Sequence, residues 1–266
     1  MKKNMIQVNQ YNIEYVEAGK GNEKTIVFAH GLGANVEQWT KQIDYFSEDY
    51  HVISFSLPGH GESSKDEIDI QYSLKEYALT VIELFNKLDF SSCIWVGNSM
   101  GGVIGYEILK VAPEKIEMII TNGTTPELFM SKRTVKLICF FDKLLIKLMK
   151  FDGYIKFASK HSSKVKSVQE EICNIFKKAS PKAIIDSHYM LGNYSYIDVI
   201  NETSIPIAFI KAQYDKDINK YIMKIAEALQ KNANVQFVEF RNVGHISNLE
   251  KPAEYNQIVE ELINYQ

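Results

Sequence analysis

Short apolar runs of strand length alternate with helix-length amphipathic segments along most of the chain, and this order leaves few architectures open. TIVFA at 25–29, HVISF at 51–55 and SCIWV at 92–96 read as buried strands, with helices expected near 35–46 and 73–88 between them. A helix begins at Met100, a further strand falls near 116–121, and the runs at 206–211 and 235–240 are strand-like around a helical 217–231. A last helix covers about 251–264. Parallel strands need a crossover of helix length, so the alternation predicts βαβ units in a mainly parallel sheet. Residues 5–8 and 12–18, flanking Asn9 and Gln10, read as a hairpin at its start.

The rhythm breaks between 126 and 200, where no convincing strand is found. The segment 131–151 reads as one helix, apolar over most of its circumference, with Lys132, Lys136, Lys143, Lys147 and Lys150 on one side. Such a helix is expected to be covered on several sides. Residues 1–125 and 201–266 are therefore expected to form one core, and 126–200 a helical cap inserted between two sheet strands. No Pro/Gly/Ser linker marks a second domain.

With 266 residues, 45% of them hydrophobic, the chain can bury a large single core. A net charge of −3 gives no case for nucleic acid. Cys93, Cys139 and Cys173 are odd in number, widely spaced and set among apolar residues, as reduced buried thiols of a cytoplasmic protein would be. The N-terminal stretch alternates polar and apolar residues, unlike an export signal. The greasiest run, LICFF at 137–141, is stopped by Asp142 and Lys143, so no transmembrane segment is expected.

Two glycine-rich stretches carry the chemistry. Gly97-Asn98-Ser99-Met100-Gly101 stands between a strand and a helix, so Ser99 occupies a sharp turn in which side chains two residues before or after would collide. The gain is an exposed hydroxyl beside the Met100 N–H at a helix start, where developing negative charge is favoured. His30-Gly31-Leu32-Gly33 follows another strand, and its loop can bring the Leu32 amide opposite that of Met100 to form an oxyanion hole. GLGANV is a poor dinucleotide fingerprint, because Val36 replaces the third glycine and the next strand ends at Ser56 rather than at an acid. A nucleophilic serine needs a base and an orienting acid. Among six histidines His245 follows the strand 235–240, at the sheet edge where Ser99 emerges. Asp215 follows 206–211 in the same way, and Asp217, its competitor, is expected at a helix start as an N-cap.

The order Ser, Asp, His, together with HGLG, SLPGHGES, GNSMGG and GHISNLEKPAEYN, resembles the α/β-hydrolase superfamily across essentially the whole chain, most closely its small carboxylesterases and enol-lactonases. The resemblance implies an α/β-hydrolase fold, a mostly parallel eight-stranded sheet flanked by helices with an inserted cap. It also implies a Ser99, Asp215, His245 triad and an oxyanion hole at Leu32 and Met100. Two departures stand out: Ser56 where many relatives have Asp, which bears on the stability of the LPGHG turn, and Ala212 where Gly is frequent. The expected reaction is hydrolysis of a carboxylic ester or lactone through an acyl-enzyme. Thioester hydrolysis, C–C hydrolysis, and a ligand receptor retaining the fold are the alternatives.

Gly31 and Asn98 are candidates to contact the substrate, and Phe140, Phe141, Leu145 and Tyr154 of the cap, with Leu144, Phe151 and Phe157, are candidates to line an apolar acyl pocket. Residues 131–182 hold 13 Lys and Arg against four acids, a local charge of +9. Such a surface is a solvated face or attracts an anionic substrate or lipid. No metal-binding spacing or phosphate loop is present, and no cofactor is implied.

Overall fold

The computed structural model describes residues 1–65, 69–70, 72–229 and 232–265. Its centre is an eight-stranded sheet of β1 (Asn4–Val8), β2 (Tyr11–Ala18), β3 (Thr25–Ala29), β4 (His51–Phe55), β5 (Cys93–Asn98), β6 (Ile116–Asn122), β9 (Ile207–Ala212) and β10 (Val235–Phe240). The spatial order is β1-β2-β4-β3-β5-β6-β9-β10. Only the β1–β2 and β2–β4 pairings are antiparallel. The βαβ crossovers use helices α1 (Thr40–Phe46), α2 (Leu74–Lys87), α3 (Met100–Val111) and α8 (Lys216–Leu229), and the short α9 (Ser247–Glu250) and α10 (Pro252–Asn264) follow the last strand. Residues 230 and 231, expected at the end of α8, lie outside the described residues.

The central strands β3, β4 and β5 are buried along their whole length because both faces of the sheet are covered there. Cys93 and Trp95 of β5 pack with Tyr77, Phe85, Val103 and Tyr106 from α2 and α3. Ile94 and Val96 point the other way, into a cluster with Trp39, Ile43, Tyr255 and Val259 near α1 and α10. Both layers support one line of strand C-termini, at which the loops after β3, β5, β9 and β10 gather.

Between β6 and β9 the chain makes its excursion through α4 (Lys132–Ser162), α5 (Lys166–Phe176), α6 (Pro181–Met190) and α7 (Ile197–Glu202). Two findings correct the sequence expectation. A small antiparallel pair, β7 (Glu127–Phe129) with β8 (Asn193–Ser195), stands at its base. The 131–151 helix continues to Ser162, but is broken at Lys150, whose φ of 56° and ψ of 166° are not helical. That break resets the helical phase, so residues beyond it face where continuation of the first half would not have sent them. The first half is buried only along Val135, Cys139 and Asp142. It is not covered on several sides.

The turn after β4 shows how the chain manages with Ser56. Glu14 of β2, 1% exposed, reaches into the turn. Its Oε2 accepts from the Ser56 hydroxyl at 2.7 Å and from the Glu62 N–H at 3.0 Å, while Lys3 lies 3.1 Å from Oε1. The Ser56 Oγ in turn accepts from the Val36 N–H at 3.2 Å. A carboxylate is thus present in the turn, supplied by a neighbouring strand.

Candidate active site

Ser99 lies between β5 and α3 with φ 50° and ψ −118°, a backbone that costs a non-glycine residue roughly 1–3 kcal/mol. The flanking glycines are a steric necessity. A Cβ on Gly97 would lie 2.5 Å from the Gly102 nitrogen, and one on Gly101 only 2.2 Å from the Ala29 carbonyl oxygen. The Trp95 indole donates to the Gly101 carbonyl at 2.9 Å, fixing the first turn of α3 against β5.

The loop after β10 carries His245, whose Nδ1–H donates to Asp215 Oδ2 at 2.7 Å. Asp215 is buried in the loop after β9, immediately before α8. This leaves His245 Nε2 to act on a neighbour, and Ser99 and His245 line one cavity. Burial opposes the imidazolium, but the hydrogen bond and charge of Asp215, followed by the charges of Glu250 and Asp217, raise the His245 pKa above its ordinary value. Asp217 is the second residue of α8 and exposed, so it favours the helix by its charge in the first turn rather than as the expected N-cap.

Several groups holding His245 have no local signature. Asn98 Nδ2 donates to the His245 carbonyl at 3.1 Å and the Asn122 carbonyl at 3.2 Å, while its Oδ1 accepts from Gln38 at 2.8 Å. Asn98 lines the cavity as expected, yet its polar atoms are committed to tethering the loop. The Gln38 Oε1 accepts from the Gly31 N–H at 3.1 Å, linking both glycine-rich loops to the same network. Glu250 accepts from the Gly244 N–H at 2.7 Å and from Ser163 at 2.6 Å. Gly123, at φ 62°, backs directly onto the imidazole.

His30 belongs to the frame of the site. Its Nδ1–H donates to the Gly31 carbonyl at 2.7 Å and its Nε2 accepts from the Leu57 N–H at 3.0 Å; burial lowers its pKa to about 4. The His60 ring lies tilted against it, centroids 5.0 Å apart, and its pKa is pushed to about 3 chiefly by burial. His51 pairs with Glu17 at 2.9 Å, and His161 is exposed. Leu32 lines the cavity beside Ser99, and the Met100 N–H begins α3. Neither amide is taken up by a hydrogen bond among the described residues.

The cavity measures about 270 Å³, and Tyr154, Ile155, Ala158 and Phe176 form much of its apolar wall together with Ala34 and Ile246. A second chamber of about 170 Å³ is lined by Met100, Leu128, Met130, Ile138 and Leu191. Ser99 and His188 border both. Of the insertion residues expected here, only Tyr154 is in place. Phe140 and Phe141 are 58% and 49% exposed, Phe157 is exposed, and Leu145 packs against Tyr154 and Ile155 instead. Beyond the break at Lys150, residues 154, 155 and 158 turn inward, while the first half buries its Val135, Cys139 and Asp142 side and leaves Phe140 and Phe141 outside.

His188 has no signal in the sequence that sets it apart from the rest of the insertion. Its Nδ1–H donates to Asp142 Oδ2 at 2.7 Å, and the Tyr154 hydroxyl donates to Asp142 Oδ1 at 3.1 Å. A second imidazole–carboxylate pair therefore stands opposite the first, on helices rather than on sheet loops. Only the fold brings 142, 154 and 188 together.

Residues 24–142 match the family described as the alpha/beta hydrolase fold. The (E)-2-((N-methylformamido)methylene)succinate hydrolase of Acinetobacter baylyi is 35% identical over 116 residues, 43% of this chain and 43% of that enzyme, so the alignment spans less than half of either. The 3-oxoadipate enol-lactonase 2 of the same organism is 22% identical over 269 residues, covering 97% of this chain and 95% of that one. A solved thermophilic esterase from Thermogutta terrifontis superposes with a TM-score of 0.85 at 17% identity, over 100% of this chain and 99% of its own. The strand order and the whole-chain superposition agree with that match: the chain has the α/β-hydrolase fold.

Proposed function

We propose that the protein is a serine hydrolase that cleaves a carboxylic ester or lactone with an apolar acyl part. The observation carrying this reading is a serine held at positive φ in one cavity with a histidine whose far nitrogen is fixed on a buried aspartate. His245 Nε2 takes the Ser99 proton as Oγ attacks the carbonyl carbon. The resulting oxyanion accepts from the Leu32 and Met100 N–H groups, aided by the N-terminus of α3. Collapse expels the alcohol or enol oxygen, which leaves with the proton from His245. Water, deprotonated by the same imidazole, then releases the acid and restores Ser99.

Residues 126–200 serve as the cap in this reading. The apolar wall of Tyr154, Ile155 and Phe176 receives the acyl part, and His188, fixed by Asp142, meets a polar group of the substrate at the junction of the two chambers. The names of the two Acinetobacter baylyi relatives support hydrolytic chemistry of this kind. A fluorophosphonate should label Ser99, and Ser99→Ala should abolish labelling and lower turnover of p-nitrophenyl esters by roughly 10³-fold or more. Assay across graded acyl chains, lactones and acyl thioesters fixes the substrate class. Stoichiometric labelling without multiple turnover on any of them would instead favour a receptor, and full turnover by Ser99→Ala would remove the mechanism.

A further inference from the structure

The first half of α4 leaves an unusual surface. Leu137, Phe140, Phe141 and Leu148 are 55%, 58%, 49% and 69% exposed, although the opposite side of the same helix buries Val135 and Cys139. At about 100° per residue these four and Leu144 fall within an arc of roughly 100°. Lys132, Lys136, Lys143 and Lys147 occupy the adjoining arc, with Arg133 beside Phe140. Among the described residues none of these five cations takes part in an ion pair. Soluble monomers rarely keep large apolar side chains contiguous in water, which marks the face as one that is covered in use.

Charge decides what covers it. A second copy docking through this face would bring two lysine stripes of a +9 segment together, so self-association is opposed. A helix with Phe and Leu outward and lysines along one flank is instead the arrangement that lies in a lipid interface, apolar arc among acyl chains and ammonium groups at the headgroups. We propose that the first half of α4 docks this protein on an anionic lipid surface. Its 18 residues before the break give a footprint about 27 Å long. No helix among the described residues is long and apolar enough to cross a membrane, so the contact is interfacial. The same helix places Ile138 in the chamber beside Ser99, so docking sets the catalytic cavity at the lipid boundary. The inference stands on the outer face alone and does not depend on the chemistry at Ser99.

Flotation of the whole protein with phosphatidylcholine vesicles, with and without about 30% phosphatidylserine, tests it. Binding should be at least tenfold stronger to the anionic vesicles and weaken as salt shortens the Debye length from about 10 Å at 0.1 M to about 3 Å at 1 M. Each cation near an anionic surface contributes about fivefold, so Lys136→Gln/Lys143→Gln/Lys147→Gln should lose roughly 100-fold. Phe140→Ser/Phe141→Ser should lose roughly tenfold or more at unchanged charge. All five positions are exposed, so circular dichroism and Tm should match the wild type. Absence of vesicle binding overturns the proposal. So does binding that survives the phenylalanine changes intact, because the contact is then only electrostatic. A dimer at micromolar concentration that Phe140→Ser/Phe141→Ser dissociates also overturns it, assigning the face to a second copy.

Discussion

Gly123→Ala tests whether backbone geometry fixes the imidazole of His245. A Cβ at residue 123 would stand 2.8 Å from His245 Cε1 and 2.9 Å from its Nδ1, whereas ordinary contact begins near 3.4 Å. The ring must retreat by about 0.5–0.6 Å, while Asp215 holds Nδ1 at 2.7 Å and Asn98 holds the loop carbonyl at 3.1 Å. A misplacement of about 1 Å at reacting groups costs on the order of 10²-fold, so roughly tenfold to 10²-fold should be lost from kcat. The φ of 62° adds about 1–2 kcal/mol of instability for any residue with a Cβ. Gly21→Ala separates the two effects, because Gly21 also has positive φ but nothing within 4 Å of the added carbon. That control should lose stability and keep kcat. Ester turnover, fluorophosphonate labelling rate and Tm are read for both variants. If Gly123→Ala loses stability but retains full kcat and labelling rate, the imidazole is not held from behind, and the reasoning fails.

Asp215→Asn should cut kcat by roughly 10³-fold or more by favouring the wrong imidazole tautomer, while Asp217→Asn should cost about 0.3–1 kcal/mol of stability and leave kcat alone; exchange of these behaviours would reverse the assignment. His30 and His60 stay neutral in the fold with pKa values of about 4 and about 3, so the unfolded chain binds protons that the fold refuses. Their contribution is complete above about pH 6.5 and is lost on acidification, by about 3 kcal/mol between pH 6.5 and 5, and a flat denaturant midpoint over that range would contradict it. The His245 pKa is raised, so kcat/KM should climb with pH above 6.5 as the base becomes neutral, and a profile flat from about pH 6 to 8 would contradict it. His188→Gln should raise KM roughly threefold to tenfold for a substrate with a polar acyl substituent and leave kcat within a few-fold, and Asp142→Asn should repeat the pattern; a fall in Tm without a KM change would make the pair structural only.

Much of this was legible from residues alone. Each buried strand announces itself as an apolar run, and Ser99, Asp215 and His245 follow from their positions just after such runs. β7 and β8 escaped because three residues are too few to show a period of two. The break in α4 escaped because Lys150 carries no breaker signal, and Phe140 and Phe141 were misplaced because an apolar circumference alone does not say which of its sides the fold covers. Asn98, Gly123 and the Asp142–His188 pair owe their roles to partners tens to more than a hundred residues away, a distance no local pattern encodes.

The carboxylate that Glu14 lends to the turn after β4 has a consequence for local unfolding. A turn anchored by its own aspartate can order as soon as it forms, whereas this one waits for an edge hairpin 42 residues earlier in the chain. The Glu62 and Ser64 amides, bonded to Glu14 Oε2 and the Asn12 carbonyl, therefore belong to the same opening unit as β1 and β2. Hydrogen exchange at these amides should share one free energy with the hairpin, and fraying of the sheet edge should reach the Gly59 carbonyl that accepts from Ser180 of the insertion at 2.8 Å. The N-terminal edge of the sheet is thereby tied through hydrogen bonds to the helices that border the cavity.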